Sequence, residues 1–250
     1  MAASGTYTFN PEFADLVDEA LERCGIDPAD APARTTRSIA RSAELMFADW
    51  LTRGAKQWQM VKYSLTLVQG TASYALPSGA FDVFHATFKT SDDLEREMYP
   101  ISRSDYNALH DKTIQGQTDR FFVDRSTFIG ADPASTLYLW QVPNAAAATG
   151  TMEMWYLRRI QDVAQPTSGT TLDLPYHWTE AFASGLAYYI SKKFAKEHTA
   201  ELLSDYLGDD PKRRDSHMPG GALGRALDAD REQAPATFRV RFDRRSGRRG

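Results

Sequence analysis

The sequence predicts an α+β protein in which helices from the two ends of the chain form one layer and an antiparallel β sandwich or barrel-like domain is inserted between them. Three observations carry that expectation. Apolar residues recur at three- and four-residue intervals in the first fifty residues and again over 174–208, the period of a helix with one buried side. Between Trp58 and Ile160 the period falls to two, as in half-buried strands. Turn signals at Pro77-Ser78-Gly79, Asp132-Pro133 and Pro143-Asn144 cut this middle region into short strands rather than βαβ units.

Taken in order, residues 1–8 read as a loose leader. Asn10 and Pro11 open a first helix, with Phe13, Leu16, Val17, Ala20, Leu21 and Cys24 on one face and Gly25 at its end. A connector with Asp and Pro, Ile26 to Pro32, leads to a second helix from Ala33 to Arg53, whose buried side carries Ile39, Ala43, Met46, Phe47, Trp50 and Leu51, with Gly54 as its stop. Strands follow at Val61–Leu67, Ser73–Leu76, Asp82–Lys89, Met98–Ile101, Arg120–Val123, Thr127–Gly130, Thr136–Val142 and Thr151–Ile160, interrupted by a small helix at Ser104–His110. Residues 174–208 then read as one helix about 50 Å long, fronted by Asp173 and Pro175 and closed by Gly208. Its apolar stripe needs a partner surface, in the rest of the chain or in a neighbouring subunit; Trp178, Phe182, Leu186 and Tyr189 are the candidate subunit-packing residues. Beyond Gly208 the texture loosens, with a short polar helix expected over Ala222–Gln233. The domain plan is therefore 1–58 for the N-terminal helices, 59–163 for the inserted β domain, 164–208 for the long helix and 209–250 for an extended C-terminal region and tail.

Charge is unevenly spread. Residues 236–250 hold six arginines against Asp243, +5, so the first 235 residues carry −9 to give the chain's net −4. A basic end on an acidic body suggests an end that reaches for a negative partner. No run approaches the roughly eighteen apolar residues of a membrane span, and the N-terminus lacks the basic-then-apolar order of a secretion signal, so folding in a cytoplasm is expected. The single cysteine, Cys24, falls on the apolar stripe of the first helix and reads as a core residue.

Catalytic and metal chemistry find little footing. The five histidines show no zinc-site spacing, and neither a phosphate-binding glycine loop nor a nucleophile elbow occurs; no metal, cofactor or catalytic residue is expected. The best local polar set is His177, Glu180 and Ser184, which could be a base with its orienting acid but reads more simply as a solvated or subunit-facing stripe. Asp92-Asp93 and Asp209-Asp210 are conceivable as glycoside-hydrolysis acids. The tail is more informative. Phe238, Val240 and Phe242 alternate with Arg239 and Arg241 and are followed by Arg244, Arg245, Arg248 and Arg249, a pattern suited to adding onto a partner's sheet edge; a disordered solubilising end and contact with nucleic-acid phosphates are the alternatives.

Several stretches in fixed order extend over most of residues 9–208: FNPEFADLVDEALERCGIDP, WLTRGAKQW, LTLVQGTASYALP, YPISRSDYNAL, DRFFVDR, LYLWQVPNA, MWYLRRIQDV and LDLPYHWTEAFASGLAYYIS. Together they resemble the tail accessory, or head-completion, adaptor proteins of short-tailed bacteriophages. The resemblance implies a structural virion protein and not an enzyme. It implies a homo-oligomeric ring of about twelve copies, docked under the portal protein at the head–tail junction, retaining packaged DNA and carrying the tail nozzle protein. In that reading the C-terminal residues from Phe238 to Arg249 meet the portal, DNA passes through the ring, and no part enters a membrane. The other classes kept open are a virion-associated peptidoglycan hydrolase and a DNA-binding protein acting through its tail.

Overall fold

The computed structural model describes residues 9–31, 33–53, 57–130, 133–163, 170–214, 216 and 219–230. The expected leader over 1–8, the stop at Gly54 and the tail over 236–250 lie outside the described residues. The fold is α+β, as the sequence predicts.

Two helices come first, α1 (Phe13–Arg23) and α2 (Ala33–Thr52). Helix α1 starts later than Asn10 and Pro11 suggest, because Glu12 bridges to Thr171 in an antiparallel pair and the Phe13 N–H donates to the Thr170 carbonyl at 2.7 Å. That pairing holds the chain extended up to Glu12. The helix is then capped by a box in which Asp15 accepts from the Glu12 N–H at 3.0 Å. Gly25, at φ +70°, ends it as expected.

The β region forms one seven-stranded sheet: β1 (Met60–Thr66), β2 (Ser73–Ala75), β3 (Ala80–Lys89), β4 (Glu95–Pro100), β6 (Arg120–Asp124), β7 (Thr136–Trp140) and β9 (Thr151–Arg158), in the order β1-β9-β3-β4-β6-β7-β2. The sequence suggests an all-antiparallel arrangement, and the sheet is instead mixed: β4 and β6 run parallel, Tyr99 opposite Arg120, because α3 (Arg103–Ala108) and the loop after it carry the chain back across the sheet. Two further two-residue strands, β5 (Gln115–Gly116) and β8 (Val142–Pro143), pair parallel beside it. Residues 127–130 form no strand. There the Asp124 carboxylate accepts from the Ser126 N–H at 3.0 Å and the Ser126 hydroxyl at 2.6 Å, winding Arg125–Thr127 into a 3₁₀ turn.

The edge strands β1 and β2 are neighbours in sequence. The seven-residue step from Thr66 to Ser73 reaches at most about 25 Å, whereas a flat sheet of this order would hold them about 29 Å apart. The sheet therefore curls. Its concave side packs Leu65, Val83, Phe88, Met98, Phe121, Leu139 and Met152 into one apolar cluster.

The expected 50 Å helix is two helices. Tyr176–Trp178 form a 3₁₀ turn that runs into α4 (Thr179–Phe194); Ala195, at φ −141° and ψ 63°, breaks the helix, and α5 (Thr199–Leu207) folds back onto α4. The apolar stripe thus finds part of its partner in the very segment that was to prolong it. Tyr206 and Met46 pack so closely over Gly185 that a Cβ there would lie 2.5 Å from the Met46 sulfur and 2.8 Å from the Tyr206 ring. Asp173 does not cap a helix: it holds the Arg158 guanidinium and accepts from the Gln161 N–H, fastening the end of β9 to the approach to α4.

After a short α6 (Pro211–Arg214) comes α7 (Gly221–Ala229). It is not the polar helix expected, for Ala222, Leu223, Ala226 and Leu227 are buried against the helical layer. Gly221 makes this possible, since at φ +61° it approaches the Asp205 carbonyl at a distance no side chain would permit. The helical core contains Phe13, Met46, Phe47, Trp50, Trp178, Phe182, Leu186 and Tyr206. Trp178 lies at its centre, its ring 4.9 Å from Trp50 and 5.9 Å from Trp58.

Candidate assembly surfaces

The polar set His177, Glu180 and Ser184 lies at the start of α4, where it faces α1 rather than acting as a unit. Helix α1 presents Arg23 in its last turn, and the guanidinium meets both Glu180 oxygens at 2.9 Å, the Ser184 hydroxyl at 2.9 Å and Glu19 at 2.7 Å. Ser184 in turn donates to Glu180 at 2.9 Å. The hydrogen bonds from Arg23 hold the Glu180 carboxyl below its ordinary range, and the same contacts raise the Arg23 pKa, so the pair stays charged. His177 takes no part in it. Its Nε2 lies 3.6 Å from the Asp230 carboxylate, just past the end of α7. Glu180 therefore clamps two helices and does not orient a base.

Of the aspartate pairs, Asp93, Asp209 and Asp210 make structural contacts. Asp93, at φ +61°, turns the chain between β3 and β4 and pairs with Lys89 at 2.9 Å. Asp209 accepts from Ser204, and Asp210 accepts from the Lys212 N–H at 3.0 Å at the start of α6. Cys24 is buried, its thiol pushed up to about 11 by desolvation and donating to the Ala187 carbonyl at 3.3 Å. Such a thiol is a packing residue and not a nucleophile. Among the described residues no group of three or more His, Cys, Asp or Glu could hold a metal ion, and no helix is long and apolar enough to cross a membrane.

Of the candidate subunit-packing residues, Trp178, Phe182 and Leu186 are wholly buried inside the chain's own helical core, and Tyr189 keeps part of its surface exposed. The surface those three offer a neighbour is nil, because α1, α2 and α5 already cover the stripe. The tail residues Phe238, Arg239, Val240, Arg241, Phe242, Arg244, Arg245, Arg248 and Arg249 lie outside the described residues.

Two exposed surfaces went unread in the sequence. A groove of about 740 Å³ runs between α1 and the start of α4, with Phe9, Leu16 and Tyr176 as its apolar lining and Asp15, Glu19 and Glu180 as its acids. Phe9 and Tyr176 are 68% and 73% exposed although their rings meet edge to face at 6.1 Å, so both present apolar surface to solvent. The second surface is on the outer side of β6 and β7. Half-buried Tyr106 of α3, Phe122 and Tyr138 form a three-ring cluster in which each ring lies 5.6–6.0 Å from the other two, with Arg103 over Phe122 and Lys112 over Tyr106. In the strand alternation, Phe122 and Tyr138 were legible as outward-facing residues; their stacking on α3 was not.

The family described as SU10 adaptor protein matches residues 11–241 of the chain. No curated protein matches it. Among solved structures, a chain in "Neck of empty GTA particle computed with C6 symmetry" is 12% identical, with 92% of this chain and 95% of that chain covered and a TM-score of 0.26.

Proposed function

The chain belongs to the SU10 adaptor protein family, and from that premise we propose that it docks as a ring beneath the portal protein at the head–tail junction of a phage virion. In this reading it helps retain the packaged genome and gives the tail nozzle protein its platform, and the basic tail makes the portal contact. The observation that carries the proposal is the extent of the family match, which takes in both helical ends, the inserted sheet and the beginning of the tail. A structural role is supported by the polar groups singled out above: Glu180 clamps α1 to α4, Asp210 accepts from the Lys212 N–H at the start of α6, and Asp93 pairs with Lys89 in a turn.

Sedimentation of the purified chain alone and mixed with its portal ring tests the proposal. The expected result is saturable co-sedimentation with the portal at one copy per portal subunit, lost when Phe238, Arg239, Arg241 and Phe242 are all replaced by Ser. No association with the portal by the unaltered chain overturns the proposal, and full association by the four-fold variant overturns the role given to the tail.

A further inference from the structure

We infer that the groove between α1 and the start of α4 is the resting site of this chain's own C-terminal tail, residues 236–250. The two are complementary in chemistry. The tail alternates Phe238, Val240 and Phe242 with Arg239 and Arg241. The groove offers the exposed rings of Phe9 and Tyr176 to the apolar side chains and the carboxylates of Asp15 and Glu19 to the guanidinium groups. Among the described residues lining it, the one guanidinium is Arg23, which pairs with Glu19 and Glu180, so the three lining acids Asp15, Glu19 and Glu180 still outnumber it.

The path of the chain leads to the same place. Asp230, the last described residue, lies 3.6 Å from His177, and His177 is itself part of the groove's lining. The tail thus sets out from the groove wall, with Phe238 eight residues on and within an extended reach of about 26 Å. A segment tethered so close is present at an effective concentration of about a millimolar, so contacts too weak to join separate molecules suffice to hold it. The opposite end of the chain also adjoins the groove, at Phe9. Residues 1–8 carry no charged side chain, however, and leave the carboxylates unanswered.

Docking on the body does not depend on the portal. Where the adaptor reading holds, it adds a regulation: the tail is withheld until a portal site outcompetes the groove.

Limited trypsin digestion of the full chain, followed by mass spectrometry, tests the inference without any portal. Trypsin cleaves after Arg239 and Arg241, and the unaltered chain is expected to be cut there about tenfold more slowly than the Glu19→Gln/Tyr176→Ala variant, since cleavage tracks the fraction of tail that is undocked. The Tyr176 ring is largely exposed and Glu19 lies on the surface of α1, so the variant keeps its fold, checked by circular dichroism. Tyr176→Phe, which retains the ring, should retain the protection. Equal cleavage of the unaltered and doubly substituted chains overturns the inference, as does protection that Tyr176→Phe abolishes. Protection that disappears on dilution assigns the groove to a neighbour's tail and overturns it as well.

Discussion

At the scale of single residues, several acids of this protein act as fasteners, Glu180, Asp124 and Asp173 among them. Glu180 accepts from Arg23 through both oxygens and from Ser184, which makes it a link between α1 and α4. Its carboxyl titrates below its ordinary range when folded, held there by Arg23, and returns to that range when the chain unfolds. A carboxyl shifted in this direction stabilises the fold above its unfolded pKa and loses that contribution as pH falls through the folded one. The melting temperature of the unaltered protein should therefore exceed that of Glu180→Gln at neutral pH, and the two should converge below about pH 4. A constant difference down to pH 2.5 would show that hydrogen bonding alone, without charge, joins the helices.

At the scale of elements, what was legible depended on whether the cause lay within the element or outside it. The limits of α1 at Gly25 and the alternation of β1, β3 and β9 are local, and the spacing of their apolar residues is enough to read them. The break at Ala195 is not local. No Gly or Pro stands there, and the helix stops because Leu202 and Tyr206 reach more apolar surface by folding back on α4 than by continuing into solvent. Strands β5 and β8 are two residues long and too short to carry a period. The groove was illegible for the same reason as the break, since it exists only where α1 meets the turn before α4, more than 150 residues later. The contact between Arg158 and Asp173 likewise joins separate elements, the end of β9 and the approach to α4. Asp173→Ala removes that pair and the acceptor of the Gln161 N–H, and should lower the unfolding free energy by about 1–3 kcal/mol. Urea unfolding checks it, and a loss under 0.5 kcal/mol would show that the pair is too well solvated to matter (about the scale of exposed ion pairs).

At the scale of the whole molecule, the question is whether the curled sheet and the helical layer behave as one body. Their apolar clusters are separate, which by itself would allow either to melt alone. The junction argues the other way. Both chain segments entering and leaving the sheet are built into the helical core: Trp58, before β1, packs on Trp178, and Ile160, after β9, is buried in the same cluster. The side chain of Gln59 donates to the Arg158 carbonyl at 3.3 Å, tying these two segments to each other. Helical unfolding would thus pull Trp58 and Ile160 from the core and release β1 and β9 together, the edge strand and its neighbour on that side of the sheet. A single cooperative transition is expected, with the loss of helical circular dichroism and the onset of amide exchange in β3 and β9 at the same urea concentration. If β3 and β9 stay protected after the helices have melted, the sheet is independently stable and the junction is a hinge.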